Sequence, residues 1–201
     1  GWYMYYIYNT YRSANLFEDN VIKDNWSGYY FYGAQIYYYA SWKINRNQIV
    51  RNTTASNQGY LYCFYLYYLY NLEFTSNLMA NNVGYYGNYN IYTYNYNSGV
   101  TADIRQNTLH YNATYGSHFS YGYVMQEAQS TVSFVGNVGD YTSPYYVYGA
   151  YLYNTSATNI KECDRNTFYI NVPNQYWCLA TTGYSSYGSW RGDAKCGPNN
   201  R

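Results

Sequence analysis

Charge is scarce in this chain. Its 201 residues hold 11 Lys or Arg and 10 Asp or Glu, a net charge of +1. With no basic stripe to neutralise phosphates, nucleic acid is not an expected partner. Proline is equally rare, at 3 residues, and the 16 Gly are scattered. Helical periodicity is hard to find anywhere along the chain. The longest apolar-looking run, Tyr60 to Leu72, is mostly Tyr and is too short and too polar to span a bilayer, so no transmembrane segment is expected. No Cys-x-x-Cys pair occurs, so zinc is unsupported and no metal or cofactor is expected. The 2 His, His110 and His118, read as exposed corner or strand residues. The acids are dispersed, without a close carboxylate pair beside a base, and the chain is expected not to be an enzyme. It opens Gly1-Trp2-Tyr3, with no initiator Met, basic n-region or h-region, and reads as a mature product or a fragment.

What the chain does have is tyrosine, 37 residues against 7 Phe and 5 Trp, and one recurring phrase. Tyr forms strands well and joins a flat apolar body to a hydroxyl that seeks a partner or water, which suits broad sheets wet on one side. The phrase is an apolar residue, two variable residues, then Asn. It occurs at Phe17/Asn20, Ile44/Asn47, Phe74/Asn77, Ile104/Asn107, Phe134/Asn137 and Cys163/Asn166, with Asn-to-Asn steps of 27, 30, 30, 30 and 29. An apolar residue follows at +2 and usually Asn at +5: Ile22/Asn25, Ile49/Asn52, Met79/Asn82, Leu109/Asn112, the degenerate Gly139/Thr142, and Phe168/Asn171. A repeat of this length means stacked supersecondary units.

Within each unit, apolar and polar positions alternate, as in Trp42-x-Ile44 and Leu72-x-Phe74, the period of a half-buried strand. A second short strand carries the +2 residue. A third stretch lies upstream, at Tyr32–Tyr37 and Tyr148–Tyr153 and more loosely at Tyr62–Tyr67 and Gly87–Tyr92. About three short strands per unit, repeated about six times, predict an all-β fold, a parallel β-helix over residues 1–171. Stacking at about 4.8 Å joins the coils into sheets around a continuous apolar column. Asn20, Asn47, Asn77, Asn107, Asn137 and Asn166 then lie above one another, where their amides can form a ladder that satisfies polar groups at a bend. Residues 172–201 break the period and read as a C-terminal cap or linker.

The alternation of the Phe-x-x-Asn phrase with Gly33-Ala34-Gln35-Ile36 and Gly149-Ala150-Tyr151-Leu152 resembles the repeats of polymorphic outer-membrane proteins and related β-helix surface proteins. The resemblance spans about residues 15–171. It departs in Ile for Phe at two repeats, Cys at one, and a single Gly in the second phrase. It implies a right-handed parallel β-helix exported to a surface, often adhesive or structural, without catalysis. Asn174-Gln175-Tyr176-Trp177 faintly resembles the segment that closes such helices.

Other candidate positions are sparser. Cys178 and Cys196 lie outside the repeat and form a candidate disulfide. Cys163 replaces Ile or Phe in the apolar column, and Cys63 sits too many coils away to reach it. Asn25, Asn52, Asn112 and Asn154 head Asn-x-Ser/Thr triplets and are candidate glycan acceptors, although three of them are also the +5 Asn of the repeat. Asp19 and Arg46 fall at equivalent positions one coil apart and predict a surface ion pair. Residues 3–8 read as part of a coil with no evident cap, which predicts end-to-end stacking through an open sheet edge. The expectation is an extracellular or cell-surface structural subunit that self-associates into a filament or coat. The alternative is a carbohydrate-binding adhesin whose Tyr rows stack against sugar rings.

Overall fold

The computed structural model describes residues 2–4, 14–37, 40–55, 58–95, 98–114, 119–127, 129–141, 146–154, 156–170, 172, 174–193 and 199–200. The strands of successive repeats pair in parallel, and the phrase sets their register. Phe17 lies opposite Ile44, then Phe74, Ile104, Phe134 and Cys163 follow in line, and all six are buried. A parallel stack buries one face of every coil, so a slip of one residue would turn this column outward.

The phrase-bearing sheet contains Asn15–Glu18, Trp42–Asn45, Asn71–Thr75, Thr101–Arg105, Thr131–Val135 and Ile160–Asp164. A second set of short strands, Val21–Lys23, Gln48–Val50, Leu78–Ala80, Thr108–Thr114, Val138–Tyr141 and Thr167–Ile170, carries the +2 residues. The tyrosine sheet contains Trp2–Met4, Tyr30–Tyr37, Tyr60–Tyr67, Gly87–Asn95, Phe119–Glu127, Tyr146–Tyr153 and Asn174–Leu179, with Thr182–Tyr184 added antiparallel at its end.

The fold is thus an all-β parallel solenoid, but not six coils of three strands. The six strands of the phrase sheet are separated by five steps, so the solenoid makes roughly five turns. Its first three coils carry a fourth strand, Trp26–Ser27, Thr53–Thr54 and Val83–Gly84. In the next coil the two short strands fuse into Thr108–Thr114, which pairs with both Leu78–Ala80 and Val83–Gly84. Parallel pairing also passes the boundary drawn at 171, because Asn174–Leu179 still pairs with Tyr146–Tyr153. Only beyond it does the chain reverse, into Thr182–Tyr184 and the short helix Tyr187–Arg191, whose buried Trp190 packs 5.4 Å from Trp177 at the end of the core.

The corners follow one rule. The residue before each phrase Asn has a left-handed backbone, with φ between 55° and 65° at Asp19, Arg46, Ser76, Gln106, Gly136 and Arg165. Asp24, Arg51 and Asn81, before Asn25, Asn52 and Asn82, share it. This conformation turns the chain sharply and sends its own side chain into solvent, so residue type drifts there while the next residue stays Asn. A non-glycine residue in this region costs about 1 kcal/mol. The Asn makes up the deficit. Asn47 Nδ2 donates to Phe17 O at 2.7 Å and to Asn77 Oδ1 at 3.0 Å, and its N–H donates to the same Oδ1 at 3.0 Å. At about 1 kcal/mol net for each bond, three bonds exceed the backbone strain.

The ladder runs through all six phrase residues, with Nδ2 to Oδ1 distances of 2.9–3.1 Å. It ends on a seventh rung, because Asn166 donates to Asn200 Oδ1 through both its N–H and its Nδ2. Asn25, Asn52, Asn82 and Asn112 form a second ladder of the same design at the next corner. Between the ladders the core columns trade bulk. Gly139 interrupts the column of Ile22, Ile49, Met79, Leu109 and Phe168, and buried Tyr123 reaches toward that place, its hydroxyl donating to Val138 O at 3.3 Å and Asn107 O at 3.2 Å. Gly149 is required by the closing tryptophan, since a Cβ there would lie 2.1 Å from the Trp177 ring.

Replacing Asn77 by Ala strands the Ile44 carbonyl and two N–H donors of Asn47 in the interior. The expected loss is about 3–5 kcal/mol by urea denaturation. Asn71→Ala, at an exposed position, is expected to cost less than about 1 kcal/mol. Equal losses would show that the ladder contributes nothing special.

Candidate functional site

The outward positions of the tyrosine sheet form columns because its strands from Tyr30–Tyr37 to Tyr146–Tyr153 pair in constant register, with one shift only against Asn174–Leu179. The central column is Tyr32, Tyr62, Tyr89, Tyr121, Tyr148 and Tyr176. Its ring centroids are 5.0, 4.5, 4.1, 4.6 and 5.3 Å apart, and the first four pairs lie within 16° of parallel. The coil rise of about 4.8 Å suits offset stacking. On one side Tyr30 and Tyr60 stack at 5.7 Å. On the other, Tyr65 stacks on Tyr92 at 5.2 Å, and Tyr67 on Tyr94 at 4.6 Å. Burial pushes the phenols of Tyr62, Tyr65, Tyr89, Tyr121 and Tyr148 above the ordinary tyrosine value, and that of Tyr151 up to about 12. The face is therefore uncharged at neutral pH, aromatic in area and hydroxylated at its rim.

The expected ladder residues are all brought together, and the expected surface pair forms. Arg46 holds Asp19 through Nε and Nη2, each at 2.8 Å, and lowers its pKa. Arg51 repeats this on Asp24 one corner along. Both pairs are exposed and contribute little to stability.

The glycan acceptors need correction. Asn52, Asn112 and Asn154 are fully buried. Their Nδ2 atoms, where a glycan would attach, donate to Ile22 O at 3.1 Å, Met79 O at 2.7 Å and Glu127 O at 2.6 Å respectively. An acceptor triplet is a local signal, whereas burial comes from the stack, and the folded chain does not present these three amides. Asn25 is exposed at the start of its ladder. Cys63, Cys163 and Cys178 are buried, and burial raises the Cys178 thiol to about 12. Its candidate partner Cys196 lies outside the described residues, as does His118. His110 is exposed and lies 3.3 Å from Asp140. Among the described residues, no three His, Cys, Asp or Glu lie close enough to hold a metal ion. No helix there is long and apolar enough to cross a membrane, which says nothing of β-barrels.

Glu127 was not anticipated. It stands at the third corner in register with Asn95 and is 3% exposed. It lines a small interior cavity with Leu66, Leu69, Leu72, Thr93 and Asn95. Burial raises its pKa to about 7, opposed weakly by the Thr93 and Ser130 hydroxyls nearby.

No family model, curated protein or solved structure matches the chain. The fold is a parallel β-solenoid with an asparagine ladder and a tyrosine-rich face, and it does not by itself assign the chain to a particular family of surface proteins.

The Glu127 carboxyl has a testable signature. Its folded pKa of about 7 lies above the ordinary 4.5, so the folded state holds the proton more tightly. Stability contributed by this group is full below about pH 4.5, falls as pH rises to about 7, and is flat beyond, a change on the order of 3 kcal/mol. Asp19 and Asp24, whose pKa values are lowered, act oppositely and only at more acid pH. Glu127→Gln keeps the neutral form at all pH and is expected to flatten the fall between pH 5 and 8 in denaturant titrations. An unchanged slope would place the titration elsewhere.

Proposed function

We propose that this chain is a structural subunit of an extracellular or cell-surface filament or coat, assembled by end-to-end stacking of solenoid units. The observation that carries the reading is the polarity of the asparagine ladder. Every rung from Asn20 to Asn166 donates its N–H and Nδ2 to the Oδ1 of the next rung, and the series ends with Asn200 as acceptor. Units with such an axis are complementary head to tail, and a heterologous contact that does not close generates an open filament. Two amide ladders and the ring columns would give such a rod stiffness along its length. In this proposal the chain is not an enzyme. What supports that is the engagement of several of its acids with bases on other coils, Asp19 with Arg46, Asp24 with Arg51 and Glu73 with Lys43.

A second reading, a glycan-binding surface protein, is favoured by one specific feature. The tyrosine face presents stacked, uncharged rings at regular intervals, and such rings offer flat apolar area at low conformational cost.

Negative-stain microscopy and sedimentation at micromolar concentration test the first reading. Rods that lengthen as concentration rises are expected. A single species of 23.7 kDa throughout that range would overturn the filament, and retention of that species on an immobilised glycan would favour the second reading.

A further inference from the structure

One column of the tyrosine face is interrupted. It runs Tyr65, Tyr92, Val124, Tyr151, with Val124 in register between two tyrosines. Val124 is 5% exposed and forms the floor of an open surface slot of about 320 Å³. Tyr92 and Tyr151 flank it, Tyr89, Tyr121 and Tyr148 line one side, and Gln126 lies on the other. We propose that this slot binds one pyranose ring of a neutral glycan, gripped between Tyr92 and Tyr151. This inference rests on the second reading of the function and gives that reading a place.

The dimensions follow from the register. Tyr92 and Tyr151 are two strand spacings apart, about 9.6 Å. A ring placed midway lies about 4.8 Å from each, within the 4.1–5.0 Å range of the stacked pairs of the central column. The slot is therefore one ring thick, and its volume sits at the small end of ligand sites. Its walls are held before any ligand arrives. Tyr92 lies 4° from parallel with Tyr65, and Tyr151 lies 12° from parallel with Tyr153. Binding then costs little side-chain ordering.

The chemistry selects a polyhydroxylated, uncharged ring. The C–H faces of a pyranose match the two aromatic walls. Its rim hydroxyls can meet the Gln126 carboxamide, which both donates and accepts, and the neighbouring phenols. No charged side chain lines the slot, and the phenols around it stay protonated, so a uronate or an amino sugar would find no counter-charge. Of the other gaps in the face, Gln126 itself stands in the one between Tyr94 and Tyr153, and the one at Gly87 between Tyr60 and Phe119 is encroached on by Tyr86, whose ring lies 5.0 Å from that of Tyr60.

Calorimetric titration of the full chain with soluble hexaoses of β-1,4-glucose, β-1,4-mannose and α-1,4-glucose, with oligogalacturonate for comparison, tests the proposal. At least one neutral hexaose is expected to bind saturably, and oligogalacturonate at least about tenfold more weakly. Val124→Tyr restores the missing ring and is expected to weaken binding by about tenfold or more, whereas Tyr169→Ala, on another sheet, leaves it unchanged. Should Val124→Tyr fail to fold, Tyr151→Ala removes one wall and is expected to give a comparable loss. Undiminished binding by Val124→Tyr or Tyr151→Ala would overturn the slot while leaving glycan binding in place. Equal binding of the uronate would overturn the neutral ligand. Silence from every neutral hexaose at millimolar concentration would overturn both the slot and the glycan reading. Self-association abolished by Val124→Tyr would show that a side chain of a second copy fills the slot instead, and would also overturn it.

Discussion

A solenoid of flat sheets must bend its backbone several times in every coil, and each bend threatens to leave buried N–H and C=O groups without partners. Here the bend is made by one residue with positive φ followed by one Asn whose carboxamide faces inward. That amide replaces the strand pairing the corner cannot supply. It receives two donors from the coil on one side and gives one of its own to a carbonyl on the same side. Everything else in the molecule inherits this arrangement. The register of the sheets, the alignment of the core column and the spacing of the surface tyrosines follow once equivalent corners are locked above one another.

That locking leaves some positions free and constrains others. Corner side chains face water, so Asp, Arg, Ser, Gln and Gly all serve before the ladder Asn. Core positions face identical positions one coil away, so their volumes must be balanced across the column. Tyr123 beside Gly139 and Trp177 beneath Gly149 are two such exchanges of bulk. On the outer face the same in-register stacking turns a preference for Tyr into columns of parallel rings. A single non-aromatic residue there leaves a gap of defined thickness, which connects a core constraint to a candidate binding surface.

How much of this was legible in the sequence varied with how far each signal reached along the chain. The six phrase residues repeat at nearly constant spacing, and that alone placed Asn20 through Asn166 on one axis. The +5 position is Asn in every repeat except the one with Thr142, but the triplets at Asn52 and Asn112 pointed outward while the stack buries both. Asn200 joins the ladder 34 residues after Asn166, a step outside the period, so no repeat could flag it. Two-residue strands such as Trp26–Ser27 are too short to show an alternation, which hid the fourth strand. The stretch Phe119–Glu127, which holds both Val124 and Glu127, departs from the tyrosine pattern. Its importance lies in what its neighbours across the sheet carry, and a linear reading does not reveal those neighbours.

Structural and adhesive roles both draw on a rigid axis, so the ladder itself is the point to test. Hydrogen exchange of the side-chain amides, followed by NMR, reads it directly. The account predicts that the Nδ2 protons of Asn47, Asn77, Asn107 and Asn137 exchange as slowly as backbone amides of the core strands, while those of exposed Asn71 exchange quickly. Ladder amides that exchange as fast as Asn71 would contradict it.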